Sequence, residues 1–401
     1  MATAPDQRAN WLLKAVIILS APAQMITYAA PTPLLSKMSI EFHGPMDDYM
    51  LKMILGVAGP AMIAGAALGG LLSDMGGRRP MMIGSALLFG LAGAAPFALH
   101  NLPLILVTRI ATAAAAAAIA TIGQAMVGDH FEESQRPSWM GMIGAVGMVS
   151  GFLCFPLAGV LGEFGWRWPF LIYLIGLLLA GLAWAGMPRH APAARKAPVL
   201  DTPKPQAPAA TTNYPVGLFA LAFMTGPIFT LPSVYLSFYL HRFGFEGPAM
   251  TGGILALSAL VSAVVSAGYG RARRRLSVRR LFVIGFAAGA LGLVTLALAP
   301  NIWFVVMAMA FTGLATGWVN PNIFSAVIDS VDEQHRGRAT GIAMASCALG
   351  PAFGVTLLEP VVLRFGYSGV YILMGGLAAA VTLSVIAGGI GRQRAAPAAA
   401  A

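Results

Sequence analysis

Gly70-Leu71-Leu72-Ser73-Asp74-Met75-Gly76-Gly77-Arg78-Arg79 is a short polar reversal between two long apolar runs, 49–72 and 80–99. Each run is long enough to cross a bilayer, which takes about 20 residues of helix. The segment between them has room for a sharp turn and nothing more. Gly76 and Gly77 permit a tight helix-to-helix reversal. Asp74, at a helix end, can pair with an arginine or cap a neighbouring helix. Arg78 and Arg79 place the turn on the side of a membrane where cations collect.

The same pattern extends in both directions. Apolar runs fall at 11–35, 49–72, 80–99, 103–127, 138–162, 168–187, 216–240, 248–270, 280–299, 302–328, 339–362 and 369–390, about twelve crossings at that length. Lipid offers open backbone groups no partner, so these runs are predicted to be helices. Hydrophobic residues make up 58% of the 401 and charged residues 10%, and the mean hydropathy is +0.76. A water-facing surface needs roughly a quarter of the residues charged. The expected fold is all-α and integral to a membrane.

The formal charge of +10 does not point to nucleic acid. The lysines and arginines sit in short loops between apolar runs, without the aromatic interleaving of single-strand binders. With the N-terminus in the cytoplasm, Lys37, Lys52, Arg167, Arg242 and Arg364 fall outside or at the outer edge. Arg109 lies within a span, and the rest of the 25 basic residues fall inside. This bias puts both termini in the cytoplasm with an even number of crossings. Arg8 and Lys14 before an apolar stretch resemble a secretory leader. That stretch runs on to about Leu35 and is followed by similar ones, so it is read as an uncleaved first helix. Cys154 and Cys347 each sit in an apolar run, with no metal spacing and no disulfide framework.

The segment 188–215 holds Pro188, Pro192, Pro198, Pro203, Pro205, Pro208 and Pro215 with many alanines, and is expected to be a flexible or partly extended cytoplasmic linker. It separates an N-terminal bundle, 1–187, from a C-terminal bundle, 216–401, that ends in a short cytoplasmic tail. The halves repeat at an offset of about 200 residues. Asn101 answers Asn301, Thr112 answers Thr312, Asp129 answers Asp329, Glu133 answers Glu333, Arg136 answers Arg336 and Gly141 answers Gly341. Phe164-Gly165-Trp166 answers Phe365-Gly366-Tyr367 one residue later. Parallel repeats of this kind build transporters in which one half rocks against the other.

Together these features resemble the major facilitator superfamily. The stretch 70–79 is similar to the family pattern G-x-x-x-D-R-x-G-R-R, with Met75 where the family has an arginine. The resemblance implies twelve helices in two pseudo-symmetric six-helix bundles. It also implies that Gly70, Asp74, Gly77, Arg78 and Arg79 form a gating loop that latches the cytoplasmic side. The second-half equivalent, Gly270-Arg271-Ala272-Arg273-Arg274-Arg275, keeps the cations without an acid, so the latch is expected to be asymmetric. Asp129 with Arg136, and their repeats Asp329 with Arg336, are expected as pairs at the cytoplasmic helix ends.

Leu106-Val107-Thr108-Arg109-Ile110-Ala111-Thr112-Ala113 resembles the family's R-x-x-Q-G motif, with Thr112 and Ala113 replacing its last two residues. The repeat position of Arg109 is Met309. An arginine at membrane depth is costly and is a functional candidate by default. It either serves substrate or proton coupling, or hydrogen-bonds backbone carbonyls of helix 1. Gly151, Pro156 and Gly159 are spaced as in an exporter motif, and they serve plain helix packing equally well. Pro31-Thr32-Pro33 is loosely like the paired prolines of drug-efflux members. Pro321 frees a carbonyl between Asn320 and Asn322. In this family helices 1, 4, 7 and 10 line the central cavity. The resemblance thereby implies Gln24, Thr27, Tyr28, Arg109, Thr112, Gln124, Thr225, Tyr235, Tyr239, Asn320 and Asn322 as lining residues.

No acid lies mid-span in helices 1, 4, 7 or 10, and Glu359 falls near the outer end of helix 11. A lone arginine suits an anionic or neutral polar substrate better than a cation. The sequence is therefore read as a secondary transporter of a small organic molecule working by alternating access, with efflux by proton antiport favoured. The alternative is an uptake symporter or exchanger of a small organic anion bound by Arg109. With tails this short before Asn10 and after Gly391, a transporter-like membrane sensor or scaffold with an appended signalling domain is not expected. No H-E-x-x-H, G-x-S-x-G or phosphate-binding glycine loop is present, so no enzyme, cofactor or metal site is expected. The expected setting is a bacterial inner membrane, with a monomer that handles its substrate and protons within the lipid bilayer.

Overall fold

A helix starts at Arg78 immediately after Gly77, whose φ of +91° is a conformation that residues with a Cβ adopt only under strain. The predicted reversal is therefore one residue long. The computed structural model describes residues 7–42, 44, 46–132, 134–188, 215–245, 247–332 and 335–387. Most of the 188–215 linker, the Glu133 and Glu333 repeat pair and the C-terminal tail lie outside these residues.

Among the described residues, 11 helical spans are long and apolar enough to cross a membrane. They are α1 (Trp11–Ser39), α2 (Asp47–Gly76), α3 (Arg78–Phe97), α4 (Leu102–His130), α5 (Ser138–Phe164) and α6 (Trp168–Gly186). The others are α7 (Val216–Phe243), α8 (Pro248–Ala267), α9 (Val278–Ala297), α10 (Ile302–Asp329) and α11 (Arg338–Ile386). The runs 339–362 and 369–390 both fall on α11, and the non-helical Gly366 (φ +65°, ψ −174°) breaks it between them. The equivalent Gly165 also has positive φ and ends α5. One repeated Phe-Gly pair thus marks the same boundary in both halves.

The chain divides into two compact units, Met1–Thr212 with Gly247–Gly252, and Asn213–Glu246 with Gly253–Ala401. In the first, α4 packs on α2 and α3, while α1 packs on α5 and α6. Gly65 and Gly69, four residues apart on α2, meet Ala114 and Ala118 of α4. A Cβ on Gly65 would stand 2.1 Å from the Ala114 carbonyl oxygen, so this crossing is backbone against backbone. In the second unit α9 packs on α10 and α11, and α7 packs on α11. There Gly313 and Gly317 of α10 meet the Ser258 and Ser262 carbonyls, with Cβ positions 2.4 and 2.7 Å away. The close crossing recurs with its glycines on the other helix of the pair.

Other repeats also acquire physical reasons. Asn101 and Asn301 are N-caps: their Oδ1 atoms accept from the N–H groups of Leu104 (3.2 Å) and Trp303 (3.1 Å). Thr112 and Thr312 return their hydroxyl protons to the carbonyls of Thr108 and Met309 on their own helices. Helices α1 and α7 are irregular at their prolines. A break at Ser20 and Ala21 precedes Pro22, a 3-10 turn spans Thr32–Leu34, and a π-turn spans Gly226–Thr230 around Pro227. Each proline removes a helical donor and lets the ladder slip.

At the end of the first unit away from Gly77, Glu41 accepts two bonds from Arg167 (2.7 and 2.8 Å) and one from the Trp166 indole (2.6 Å). The Arg167 guanidinium also lies 4.1 Å over the Trp166 ring. The hydrogen bonds from Arg167 outweigh partial burial and hold the Glu41 carboxyl down from 4.5 to about 2. A depressed carboxyl stabilises the fold above its unfolded pKa and stops doing so as pH falls through its folded value. The melting-temperature advantage of the wild type over Glu41→Gln in detergent should therefore be full at pH 7 and shrink between about 4.5 and 2. A constant difference across that range would show that Glu41 acts through packing alone.

Candidate functional site

A long cationic side chain on a helix that packs on three neighbours has nowhere to go except between them. Arg109 of α4 is 0% exposed. Its Nη2 donates to the Thr27 carbonyl of α1 at 2.7 Å. Its guanidinium carbon lies 4.9 Å from the centre of the Tyr173 ring on α6. The Nε and Nη1 atoms are buried without a hydrogen-bond partner, and no carboxylate pairs with Arg109 among the described residues. Tyr173 itself donates to the Ile26 carbonyl at 3.1 Å. Tyr28, within electrostatic reach of Arg109, packs on Ala58, Ala61 and Ala113. The site is therefore a desolvated cation with two open donors, walled by two phenols and by the proline-interrupted helix α1. Such donors can take an anionic or strongly accepting group.

The structure joins Arg109, Thr27 and Tyr28, and adds Tyr173. Tyr173 was missed because the resemblance directed attention to helices 1, 4, 7 and 10. A hydroxyl inside the apolar run 168–187 was the available signal. Several other expected lining residues spend their polar atoms on packing. The hydroxyls of Thr27, Thr112 and Thr225 bond carbonyls of their own helices, and the Tyr239 hydroxyl bonds the Leu296 carbonyl at 2.7 Å. Asn322 is buried, donating to the Val278 carbonyl (2.9 Å) and accepting from the Tyr269 hydroxyl (3.1 Å). Gln24 is half-buried, and Gln124 and Asn320 are exposed. Tyr235 is buried against the Tyr367 ring, with centroids 5.7 Å apart. Glu359 of α11 lies within electrostatic reach of Tyr235.

The Gly77 turn carries Arg78 back over the end of α4. There Arg78 meets Asp129 through Nε, with Asp129 Oδ1 at 3.4 Å from Nη2, while Asp74 lies at 3.3 Å and the Ser73 hydroxyl at 3.3 Å. Arg79 donates to the Trp184 carbonyl at the end of α6. Gly70 leaves ordinary van der Waals room beside Thr121 of α4. Arg136 does not join Asp129. It donates to the carbonyls of Phe131 (3.1 Å) and Gly128 (2.8 Å), because Arg78 already occupies the carboxylate. In the second unit Arg273 meets Asp329 at 3.5 Å, while Arg336 is exposed. The acid absent from 270–275 is thus supplied by α10. The two clusters still differ, with two carboxylates on Arg78 and one on Arg273.

The family model described as Major Facilitator Superfamily matches residues 17–276 and 269–398. A multi-drug resistance efflux pump PmrA homolog of Lactococcus lactis is 29% identical over 191 residues, which is 44% of this chain and 45% of that one. The multidrug resistance protein MdtG of Dickeya zeae is 30% identical over 151 residues, 35% of this chain and 36% of that one. The chain thus spans less than half the length of these curated relatives. Among solved structures, a D-xylose–proton symporter has a TM-score of 0.77 at 18% identity, covering 94% of this chain and 97% of that one. The nucleoside transporter NupG has a TM-score of 0.76 at 14% identity, covering 94% and 99%. At such identities the likeness is one of fold. Two repeated helical units with eleven apolar spans among the described residues, matched by the family model over nearly their whole length, identify the chain as a multi-pass member of the Major Facilitator Superfamily.

Proposed function

We propose that this transporter exports a small organic molecule in exchange for protons, by alternating access, as a monomer in a bacterial inner membrane with both termini in the cytoplasm. The observation that carries the reading is Arg109: a buried guanidinium whose Nε and Nη1 have no partner. It binds the accepting end of the substrate. The ligand reaches it when α1, jointed at Pro22 and Pro31, moves aside. The efflux relatives from bacteria support the direction and the membrane, and the distribution of arginines supports the orientation. The proton falls to Glu359, a half-buried acid near the outer end of the helical segment that precedes the Gly366 break. It lies within electrostatic reach of Tyr235, whose ring packs on Tyr367. An ionisable group within an apolar helix is a candidate for an ion path.

The open donors of Arg109 also favour a second reading, uptake or exchange of a small organic anion. Proteoliposomes with an imposed pH gradient separate the two. Accumulation of a test compound into vesicles with an acid lumen supports antiport. Accumulation driven by external acid supports symport and overturns the export reading. Counterflow that ignores the gradient supports exchange. Glu359→Gln should lose gradient-driven accumulation to background and retain counterflow. If gradient-driven transport survives in that variant, the proton is carried elsewhere.

A further inference from the structure

The start of α9 and the end of α11 line a groove separate from the Arg109 site. Ser277, Arg279, Arg280, Val283, Ile284 and Ile386 line it, with a volume of about 440 Å³. Arg279 fixes one wall by donating to the Val385 carbonyl at 2.9 Å and to the Ile386 carbonyl. Arg280 is exposed on the rim. Lower down, Ile284 and Ile386 present aliphatic surface, 38% and 49% exposed. The helix Tyr269–Arg275, directly before Ser277, adds the exposed Arg271, Arg274 and Arg275, while Arg273 is matched by Asp329.

The groove lies at the ends of two apolar spans, since α9 begins at Val278 and α11 ends at Ile386. Its polar half is cationic and its deeper half is hydrocarbon. A soluble anion leaves the hydrocarbon half unused. A zwitterionic lipid brings no net charge to the arginines. An anionic phospholipid satisfies both, and basic pockets at helix ends recognise such headgroups.

We propose that this groove binds an anionic phospholipid, with the phosphate on Arg280 and Ser277 and an acyl chain along Ile284 and Ile386. The site stands apart from the export reading. The test is native mass spectrometry of the full chain in mild detergent with phosphatidylglycerol, phosphatidylcholine or glycerol 3-phosphate. The wild type should retain phosphatidylglycerol in preference to phosphatidylcholine. Arg280→Gln should lower that retention about fivefold, the weight of one arginine near a charged surface. Ile284→Ser should lower it without changing a charge, and Arg275→Gln, outside the groove, should change it little. Melting temperatures without lipid should match for all four proteins. Equal retention of the two lipids overturns the proposal, as does no loss in either groove variant. An equal loss in Arg275→Gln means diffuse attraction and also overturns it. Glycerol 3-phosphate held as firmly as the lipid means a soluble-anion site, which overturns the lipid assignment.

Discussion

Arg109→Leu is expected to reduce transport to background while leaving the melting temperature in detergent unchanged or higher. The two halves of this expectation come from one geometry. Wild-type Arg109 is an uncompensated buried cation with one good hydrogen bond, to the Thr27 carbonyl, and two open donors. Replacing an unpaired buried charge with a hydrophobic residue is often neutral or stabilising, because the cost of desolvation disappears. The Thr27 carbonyl keeps a second approach from the Tyr173 hydroxyl at 3.4 Å. Transport, however, loses its only cation at this site among the described residues. Arg109→Lys keeps the charge but loses the planar fork. One charge-assisted hydrogen bond is worth about 1.5–3 kcal/mol, so the half-saturating substrate concentration should rise roughly tenfold or more. If Arg109 were only a tie to α1, the order would invert. Leucine would then lower the melting temperature sharply, and lysine, which still reaches one carbonyl, would transport normally. Transport rates and melting curves on the same preparations decide between them.

The contrast between Arg109 and Asn322 shows where the sequence was legible. Both are polar residues in apolar runs, and depth along the chain was readable for each. Rotation about the helix axis was not. Asymmetry between the faces of a helix fixes rotation in a soluble protein, but α4 and α10 are apolar all round. Asn322 consequently turned out to face Val278 and Tyr269 rather than an open site. Arg109 escaped the ambiguity because a charge cannot face lipid without cost. Spans and turns needed only local signals, namely run length and Gly77. The Glu41–Arg167 and Arg273–Asp329 pairs needed partners far apart in sequence, and no spacing rule connects residues 126 positions apart. The repeat offset did reach across the chain, and its asparagines proved to be matching N-caps. It could not show that the close crossing moves its glycines from α2 to α10, since a repeat conserves the crossing and not the helix that carries the small residues.

That crossing gives the second large effect. Gly65→Ala should destabilise the first unit severely, and Gly84→Ala should not. A Cβ at position 65 falls 2.1 Å from the Ala114 carbonyl oxygen and 2.4 Å from its Cα, both backbone atoms. No rotamer change relieves them, so α2 and α4 must separate along the crossing. Overpacking costs about 1–3 kcal/mol when side chains can adjust, and a backbone clash belongs at or above the top of that range. At Gly84 nothing lies within 4 Å, and alanine there gains up to about 1 kcal/mol of helix propensity. The two alanines should thus move the melting temperature in opposite directions. Gly69→Ala is intermediate, since its Cβ would meet the Ala118 Cβ at 2.6 Å and the Ala118 Cα at 2.7 Å. Ala118→Gly removes the first contact and should rescue Gly69→Ala in part. Ala114→Gly leaves the carbonyl in place and should not rescue Gly65→Ala. If Ala114→Gly restored stability fully, the contact at position 65 would be between side chains, and α2 and α4 would stand farther apart than a backbone crossing requires.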